Sequence, residues 1–296
     1  MSSGDSPLSD IPALFGRENH SMTALLELLL GILLIAALAI IAVRVGAIDT
    51  AGAASGGVIT LIAFLAGGFG WLIIIVIFFA VSSLLTRYRY EYKKKIGSAQ
   101  EKAGRRSWPN SLANAGIALF ASLGELYFHS DLFALAFVTS IASAMADTLA
   151  TEIGVLSHST PRMITNLRKS VSAGTSGGVT LLGGVAALSA SAFIALVGLS
   201  LSMFPSGLNF ALFGFVSVVV GAMIGTGFDS FLGATIQSLN KCSVCGQFTE
   251  SSEHHSQKTL HLRGIRFIGN NSVNFIGIFV GSVAAVMLFL GLSTFL

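Results

Sequence analysis

The sequence predicts an all-α, polytopic membrane protein. Of its 296 residues, 53% are hydrophobic and 10% are charged, and the mean hydropathy is +0.79. Soluble domains carry about 25% charged residues, so this composition excludes a soluble globule, a disordered chain and a disulfide-rich secreted domain. Apolar runs long enough to cross a bilayer recur from residue 22 to the end of the chain. The runs are continuous rather than alternating, which favours helices over barrel strands.

Eight membrane-spanning helices are predicted, since a bilayer requires about 20 apolar residues per crossing. Short breaks separate neighbouring spans at Gly67-Gly68, His129-Ser130-Asp131 and Pro205-Ser206-Gly207. Residues 1–21 are expected to be a polar N-terminal segment rather than a cleaved signal, and residues 22–296 a single transmembrane domain. The predicted spans are 22–43, 48–66, 69–86, 111–129, 132–151, 175–203, 207–239 and 271–295.

The basic residues predict how the spans are oriented. With eight spans, loops 44–47, 87–110, 152–174 and 240–270 lie on one face, and they hold every Lys and Arg except Arg17. Positive charge in short loops marks the cytoplasmic side, so we expect both termini outside. We therefore expect a multi-pass protein of the cell membrane whose active site faces the cytoplasm. A basic face suits anionic headgroups or phosphates, and nucleic acid is not an expected partner.

Acidic residues are predicted inside or at the edge of the lipid, where they are costly without a partner. Asp147 lies within the fifth span, and Glu152 ends that span at about the same depth as Asp229 in the seventh. Thr151 shares a helix face with Asp147, because the two are four residues apart. The seventh span exceeds the bilayer thickness, so its tail, residues 225–237, is expected to project toward the cytoplasm. These acids either bind a metal ion or are satisfied by a nearby Arg or backbone group.

The segment between the fifth and sixth spans has the composition of a phosphate site. Residues 174–178 are predicted to open the sixth helix, where unpaired backbone N–H groups favour anions. Arg162, Arg168 and Lys169 precede the segment and add positive charge for phosphate oxygens. The order is not that of a Walker A motif, because the lysine precedes the glycines. Tight helix packing by small residues is the alternative explanation. The predicted phosphate loop consists of Gly174, Thr175, Ser176, Gly177 and Gly178.

Two asparagines open the fourth span. Asn110 and Asn114 lie one turn apart, just after Arg105 and Arg106. They are suited to hydrogen-bond a ribose, a base or a phosphate, although Asn110 as a helix cap is a simpler explanation. Acids for Mg²⁺, combined with basic and glycine donors for phosphates, are typical of phosphoryl or nucleotidyl transfer.

The last cytoplasmic loop contains a C-x-x-C motif. Cys242 and Cys245 are followed by His254 and His255, and two thiolates with two imidazoles complete a tetrahedral Zn²⁺ site. These four residues are therefore the candidate ligands of a structural zinc ion, although adjacent histidines do not easily bind one ion. Free thiols and a redox role stay open as alternatives.

The sequence resembles a known integral membrane family in six groups of residues. They are Thr86-Arg87-Tyr88 with Lys93-Lys94-Lys95, Gly104-Arg105-Arg106 followed by Asn110 and Asn114, Ala146–Gly154, Pro161-Arg162 with Ile164-Thr165, Gly174–Val179, and Asp229–Gln237. Together they look like the integral membrane family that contains the plant phytyl-phosphate kinase of tocopherol synthesis, over nearly the whole chain from about residue 45. The sequence is more weakly similar to dolichol kinases and phosphatidate cytidylyltransferases, which use CTP and a divalent metal.

The resemblance implies a kinase that uses CTP, or another nucleoside triphosphate, to convert an isoprenoid monophosphate such as phytyl or geranylgeranyl phosphate to the diphosphate. It implies that Asp147, Asp229 and Lys169 are catalytic, and that both aspartates bind Mg²⁺. Dolichol kinases have Glu-Gly where this sequence has Gly174-Thr175, so Glu152 is expected to supply the missing metal ligand. The implied nucleotide contacts are Asn110, Asn114, Thr151, Arg162, Thr165 and residues 174–178.

Two other functions stay open at this point. A kinase that acts on the free prenol would use the same site, because only the acceptor differs. A transporter or flippase of an anionic substrate would also need intramembrane acids, but it would be expected to show inverted repeats and a midplane site. The two halves show no duplicated pattern. The expected partners are the lipid bilayer, a prenyl phosphate and a nucleotide, and homo-oligomerisation is left open.

Overall fold

A computed structural model describes residues 21–96, 104–204, 207–246, 248–249 and 252–294. The predicted polar N-terminal segment, the break at Pro205-Ser206 and residues 97–103 of the first long loop lie outside these ranges, except for Ser21. Within the described residues, seven helices are long and apolar enough to cross a membrane. They are α1 (Ser21–Arg44), α2 (Thr50–Arg87), α4 (Trp108–Phe128), α5 (Asp131–Gly154), α6 (Leu181–Ser200), α7 (Leu208–Thr235) and α8 (Asn270–Ser293), with the short α3 (Tyr90–Lys95) after α2. The all-α, polytopic fold is confirmed.

The long helix α2 accounts for two of the predicted spans. Its 38 residues would extend about 57 Å if they were straight, nearly twice the thickness of the hydrocarbon layer. Non-helical backbone angles at Gly67 and Gly68 break the helix at the predicted position, and Gly68 has a φ of +63° that favours glycine. The last residue of α2 returns to the connection that precedes this helix, because Nη2 of Arg87 donates to the carbonyl of Val45 at 2.9 Å. Helix α2 is therefore a helical hairpin, and the described helices make eight crossings.

The connections that carry charged residues gather on one end of the bundle, which we call the polar face. The backbone N–H of Asp49, before α2, donates to the carbonyl of Arg106, before α4. Lys93 of α3 forms an ion pair with Glu152 near the end of α5. Since the helices alternate in direction, α1 begins and α8 ends on the opposite face. Both ends of the domain thus share one side, as predicted, and the assignment of that side to the cell exterior stays a prediction.

Short strands fold the two longest connections of the polar face. They are β1 (Arg162–Met163), β2 (Asn166–Ser170), β3 (Gly178–Val179), β4 (Leu239–Lys241), β5 (Phe248–Thr249), β6 (Glu253–His254), β7 (Gln257–Lys258) and β8 (Leu260–Arg263). They form two antiparallel sheets, in the orders β2-β1-β3 and β5-β4-β8, and a β6-β7 hairpin. Strands this short give no alternating hydrophobic pattern, which is why the sequence did not predict them.

Glycines allow α7 and α8 to approach closely in the centre of the bundle. A Cβ atom at Gly225 of α7 would lie 2.8 Å from the carbonyl oxygen of Gly277, and one at Gly281 would lie 2.6 Å from that of Gly221. Small residues commonly permit such contacts between membrane helices. The last turns of α7, from Gly225 to Thr235, therefore begin against α8 within the bundle. Residues 225–235 run toward the polar face while packed on α8, and the expectation that this direction is the cytoplasm stays a prediction.

A buried ion pair joins the connection after α2 to α5. Nζ of Lys93 lies 2.6 Å from Oε2 of Glu152, and the two side chains are only 1% and 4% exposed. The same ammonium donates to the carbonyl of Leu85 at 2.7 Å. The nearby Arg106 is also buried. Desolvation lowers the pKa of Arg106 to about 10, although the negative charge of Glu152 acts in the opposite direction. The Arg106 guanidinium lies over the ring of Phe78. The polar face is thus joined to the bundle by desolvated charges as well as by helix packing.

Removing one partner of the ion pair should destabilise the protein. Lys93→Ala leaves the buried Glu152 carboxylate without the Lys93 ammonium. Removing one partner of a buried ion pair lowers the free energy of unfolding by about 3–5 kcal/mol. We expect a clearly lower melting temperature for the purified protein in detergent, measured by the loss of its monodisperse size-exclusion peak on heating. Lys95→Ala, which removes an exposed charge from the same helix, is the matched control and should shift stability by less than about 0.5 kcal/mol. Equal melting temperatures for the two variants would contradict this role of Lys93.

Candidate functional site

Four helices each place a polar side chain at a similar depth below the polar face. The residues are Asn114 on α4, Asp147 on α5, Asp229 on α7 and Asn274 on α8, and each is four to seven residues from the polar-face end of its helix. With a rise of about 1.5 Å per residue, they lie about 6–10 Å inside the bundle. The helices therefore bring together residues that are far apart in the sequence.

The centre of this group is a pair of carboxylates. The side chains of Asp147 and Asp229 interact with each other and line the same pocket, and both residues are half-buried. The Asn274 amide, with its nitrogen turned toward Asp229, donates to Oδ2 at 3.0 Å and to the carbonyl of Asn270 at 2.9 Å. In the opposite orientation it donates to Oδ1 of Asn114 at 3.4 Å. Two carboxylates in contact repel each other unless they share a proton or a cation.

The carboxylates line a narrow, tightly packed pocket with almost no free internal space. Its lining residues are Ser143, Asp147, Gly225, Thr226, Asp229, Asn274 and Ile278. Pockets that take drug-sized ligands enclose roughly 300–1,000 Å³, so a whole nucleotide does not fit inside this one. Carboxylate, hydroxyl and amide oxygens are the ligands that Mg²⁺ prefers, and the donor set fits that ion. Among the described residues, no cationic side chain lines the pocket.

Glu152, predicted as a third metal ligand, lies apart from the carboxylate pair. It follows Asp147 by five residues on α5, which turns its side chain about 140° away around the helix axis. Its carboxylate contacts Lys93 instead. The structure therefore supports the alternative interpretation, in which a neighbouring basic group satisfies this acid.

Residues 174–178 do not open α6. The helix begins at Leu181, and Thr180 is its N-cap, with a side-chain oxygen that accepts from the N–H of Gly183 at 3.0 Å. The glycine-rich segment forms turns before β3, and the N–H of Gly178 is bonded within them to the carbonyl of Thr175. The predicted start of the sixth helix at residue 175 is therefore wrong, because the chain needs these residues for the sheet.

The segment 174–178 packs on the end of α7. A Cβ atom at Gly177 would lie 2.5 Å from that of Ala234, and Gly177 has a φ of +80°, so a larger residue fits neither the space nor the backbone. Arg263 of β8 donates to the carbonyls of Ala234 at 2.6 Å and of Ser176 at 3.2 Å. Ala234 follows Asp229 by five residues, or about 7.5 Å along the helix. Arg263, which the sequence analysis did not single out, therefore clamps the segment above the carboxylates.

The other predicted phosphate contacts lie on the surface of the polar face. Arg162, Thr165 and Lys169 are exposed on the β1–β2 hairpin, and Nη1 of Arg162 donates to the carbonyl of Leu167 at 2.8 Å. Thr151 is exposed and lies one helical turn nearer the polar face than Asp147 on α5. These residues do not line the pocket, and their contact with a ligand stays a prediction.

Asn110 and Asn114 make hydrogen bonds within the bundle. The backbone N–H of Ser107, the N-cap of α4, donates to Oδ1 of Asn110 at 3.1 Å, which completes a capping box. Nδ2 of Asn110 donates to Oδ1 of Asn271 at 2.9 Å, and Nδ2 of Asn114 donates to the carbonyl of Asn110 at 2.9 Å. Asn110 thus has the structural role that was the simpler explanation, whereas Asn114 borders the carboxylate group through Asn274.

The C-x-x-C loop forms a second group of potential ligands. Four side chains each contribute one potential ligand atom, and these four atoms lie within 4.8 Å of one another. The residues are Cys242, Cys245, His254 and His255. Sγ of Cys245 is 3.6 Å from Nδ1 of His254. The backbone N–H of Cys245 is the main cause that lowers the pKa of Cys242 to about 6, and thiolate is the form that binds metals. The four residues predicted to meet are therefore brought together.

The fold and the carboxylate group define a multi-pass integral membrane protein with a candidate ion site at one face. Residues 33–282 match the family described as integral membrane protein DUF92, and the chain belongs to this family. The resemblance to the family of the plant phytyl-phosphate kinase is thereby confirmed.

Three relatives show how widely the sequence pattern is shared. Protein PGR of Arabidopsis thaliana is 31% identical over 82% of this chain and 90% of its own length. A membrane protein of Methanocaldococcus jannaschii is 32% identical over 74% of this chain and 87% of its own length. Protein VTE6, chloroplastic, of Arabidopsis thaliana is 26% identical over 78% of this chain and 61% of its own length. No solved structure matches the chain.

Replacing the clamping arginine should loosen the glycine-rich segment. Arg263→Ala removes hydrogen bonds to Ser176 and Ala234, and bonds that involve a charged group contribute about 1.5–3 kcal/mol each. We expect faster hydrogen–deuterium exchange over residues 172–178, measured by mass spectrometry. Arg266→Ala, an exposed arginine just beyond the same strand, should leave the exchange unchanged. Identical exchange in the wild type and Arg263→Ala would show that Arg263 does not hold the segment.

Proposed function

We propose that the protein is a prenyl-phosphate kinase, which transfers a phosphoryl group from CTP or another nucleoside triphosphate to an isoprenoid monophosphate. The observation that carries this proposal is the contact between Asp147 and Asp229, two carboxylates from different helices at one face of the membrane domain. Membership of a family similar to the plant phytyl-phosphate kinase supports the same reaction class. A nucleoside triphosphate and a lipid phosphate are both anions, so a site that joins them must neutralise charge.

The carboxylate pair is suited to bind the cation that accompanies a nucleoside triphosphate. Asp147 and Asp229 would hold Mg²⁺, with the Asn274 amide beside Asp229 and the Thr226 hydroxyl in the same pocket. When bound, Mg²⁺ supplies positive charge that stabilises the phosphates during transfer. The neighbouring amide restricts the rotation of the Asp229 carboxylate and so prepares it for this role.

The acceptor needs little chemical activation by the protein. The second ionisation of a phosphate monoester has a pKa of about 6, so the acceptor is mostly a dianion near neutral pH. No general base is then required, which agrees with a pocket whose titratable groups are carboxylates. The task of the protein is to position two anions, and positioning alone contributes several kcal/mol to such reactions.

The depth of the carboxylates suits a substrate that is part lipid and part phosphate. The site lies about 10 Å or less inside the polar face, where the headgroup of a membrane-embedded prenyl phosphate ends. The pocket is too small for a nucleotide, so the donor would extend onto the surface near Gly174–Gly178, Arg162 and Lys169. By the positive-inside rule, we propose that this surface faces the cytoplasm, where nucleotides are available.

A direct assay tests the reaction. The purified protein, incubated with labelled CTP or ATP and a panel of prenyl monophosphates and free prenols, should form labelled prenyl diphosphate only when a monophosphate is supplied. The reaction should stop after chelation by EDTA and return with added Mg²⁺, because the carboxylates cannot neutralise a triphosphate themselves. Monophosphate formed from a free prenol would reassign the acceptor. If no acceptor gave a product and the protein moved an anionic lipid across the membrane of proteoliposomes, the kinase proposal would be wrong and a transporter function would take its place.

Neutral variants of the two aspartates should abolish the transfer without unfolding the protein. Asp147→Asn and Asp229→Asn keep the side-chain shape but remove the negative charge, and loss of one such electrostatic group lowers rates by about 10²–10³-fold. We expect this loss in the labelled-nucleotide assay, with a normal size-exclusion profile. Asp131→Asn is the matched control, because Asp131 begins the same helix on the opposite face and should retain near wild-type turnover. Comparable activity in Asp147→Asn and Asp131→Asn would overturn the assignment.

A further inference from the structure

We propose that Cys242, Cys245, His254 and His255 bind one structural zinc ion that organises the loop between α7 and α8. The four ligand atoms form a compact cluster, since all lie within 4.8 Å of one another. In a tetrahedral zinc site, with Zn–S of about 2.3 Å and Zn–N of about 2.0–2.1 Å, ligand atoms lie about 3.3–3.8 Å apart. The 3.6 Å from Sγ of Cys245 to Nδ1 of His254 falls within this range.

The cysteine half of the site is a tight turn that directs one backbone N–H at the Cys242 sulfur. The N–H of Val244 points at Sγ of Cys242 from 3.4 Å, and the N–H of Gly246 donates to the Cys242 carbonyl at 3.0 Å. Gly246 has a φ of +72°, which lets the chain turn back immediately after Cys245. N–H groups directed at a coordinating sulfur stabilise its negative charge, as outer hydrogen bonds do around metal ligands.

The histidine half is a hairpin whose turn is strained. Strands β6 and β7 pair His254 with Gln257, so the turn contains only His255 and Ser256. Both have positive φ, +54° and +59°, in a turn type that strongly favours Asn-Gly. Residues held in this region cost about 1–3 kcal/mol each and need compensation. The turn places the centroids of the two adjacent imidazole rings 4.3 Å apart, with an angle of 77° between the ring planes. This arrangement allows neighbouring histidines to reach one ion.

Few apolar side chains are buried in the described part of this loop. Among the residues from 239 to 263 whose side-chain burial the structure describes, Cys242 is the only buried apolar one. Small folding units without a core are commonly stabilised by a metal ion or by disulfides. A Cys242–Cys245 disulfide would leave the convergence of two histidines on the sulfurs unexplained, whereas zinc uses all four groups. Zinc binding would contribute its free energy to folding of this loop.

The zinc loop is linked to the surface above the carboxylates. Strand β4 leads into the cysteine turn and pairs with β8, in the register Leu239 to Arg263. Arg263 in turn clamps the segment that contains Ser176 against α7. The zinc ion would therefore act as a structural element that fixes β4, the strand paired with the one that carries Arg263.

The zinc content of the full-length protein, purified in detergent without chelators, tests the proposal. We expect one zinc per chain by inductively coupled plasma mass spectrometry, and cobalt substitution should give the absorption of a tetrahedral thiolate site. Cys245→Ser and His255→Ala should each lose at least half of the bound zinc, whereas His158→Ala, an exposed histidine outside this loop, should retain it. Removing zinc should also accelerate hydrogen–deuterium exchange over residues 239–263.

Three results would overturn the zinc site. They are wild-type protein that binds neither zinc nor cobalt after reconstitution, a Cys242–Cys245 disulfide found by mass spectrometry, and full zinc content in both ligand variants. The wild-type measurement needs no substitution, so a variant that fails to fold does not weaken the test. The outcome is separate from the proposed kinase activity, because Asp147→Asn should keep its zinc.

Discussion

A carboxylate surrounded by lipid or apolar protein costs several kcal/mol unless its charge is compensated. Asp147 and Asp229 therefore constrain the whole bundle, because their helices must bring them to each other and to neutral polar partners. The close contact of α7 with α8 through glycines such as Gly225 and Gly277 does this, since it places Asp229 beside Asn274. The packing of small residues and the chemistry of the site are consequences of the same requirement.

The polar face is a folded layer rather than a set of loops. Lys93 and Glu152 join it to the bundle through a buried ion pair, and Arg263 joins the two sheets to the end of α7. The glycine-rich segment at Gly177 lies between these contacts and packs on Ala234 without room for a side chain. A surface built this way holds the backbone of the glycine-rich segment in a fixed position on the end of α7, the helix that carries Asp229.

The parts of the structure that depend on hydropathy and depth were predictable from the sequence. Long apolar runs give the spans, Gly67-Gly68 gives the turn of α2, and counting residues places Asp147 inside the fifth span. The expected match in depth between Asp229 and Glu152 is wrong, because α7 continues to Thr235 and places Asp229 level with Asp147 instead. Tertiary contacts of the loops were not predictable, because a buried lysine such as Lys93 looks the same in sequence as the exposed Lys94 and Lys95 beside it. The strands were missed for the same reason, since tertiary pairing rather than local pattern forms them.

The hairpin of α2 bears on how the chain enters the membrane during synthesis. Its tip, Gly67-Gly68, has no charged side chain, so insertion of the two halves moves no charge through the hydrocarbon layer. Arg44 at the end of α1 and Arg87 at the end of α2 both lie at the polar face, on either side of the hairpin in the sequence. The two halves of α2 can therefore cross the hydrocarbon layer together as one unit, with both charged flanks held on the same side.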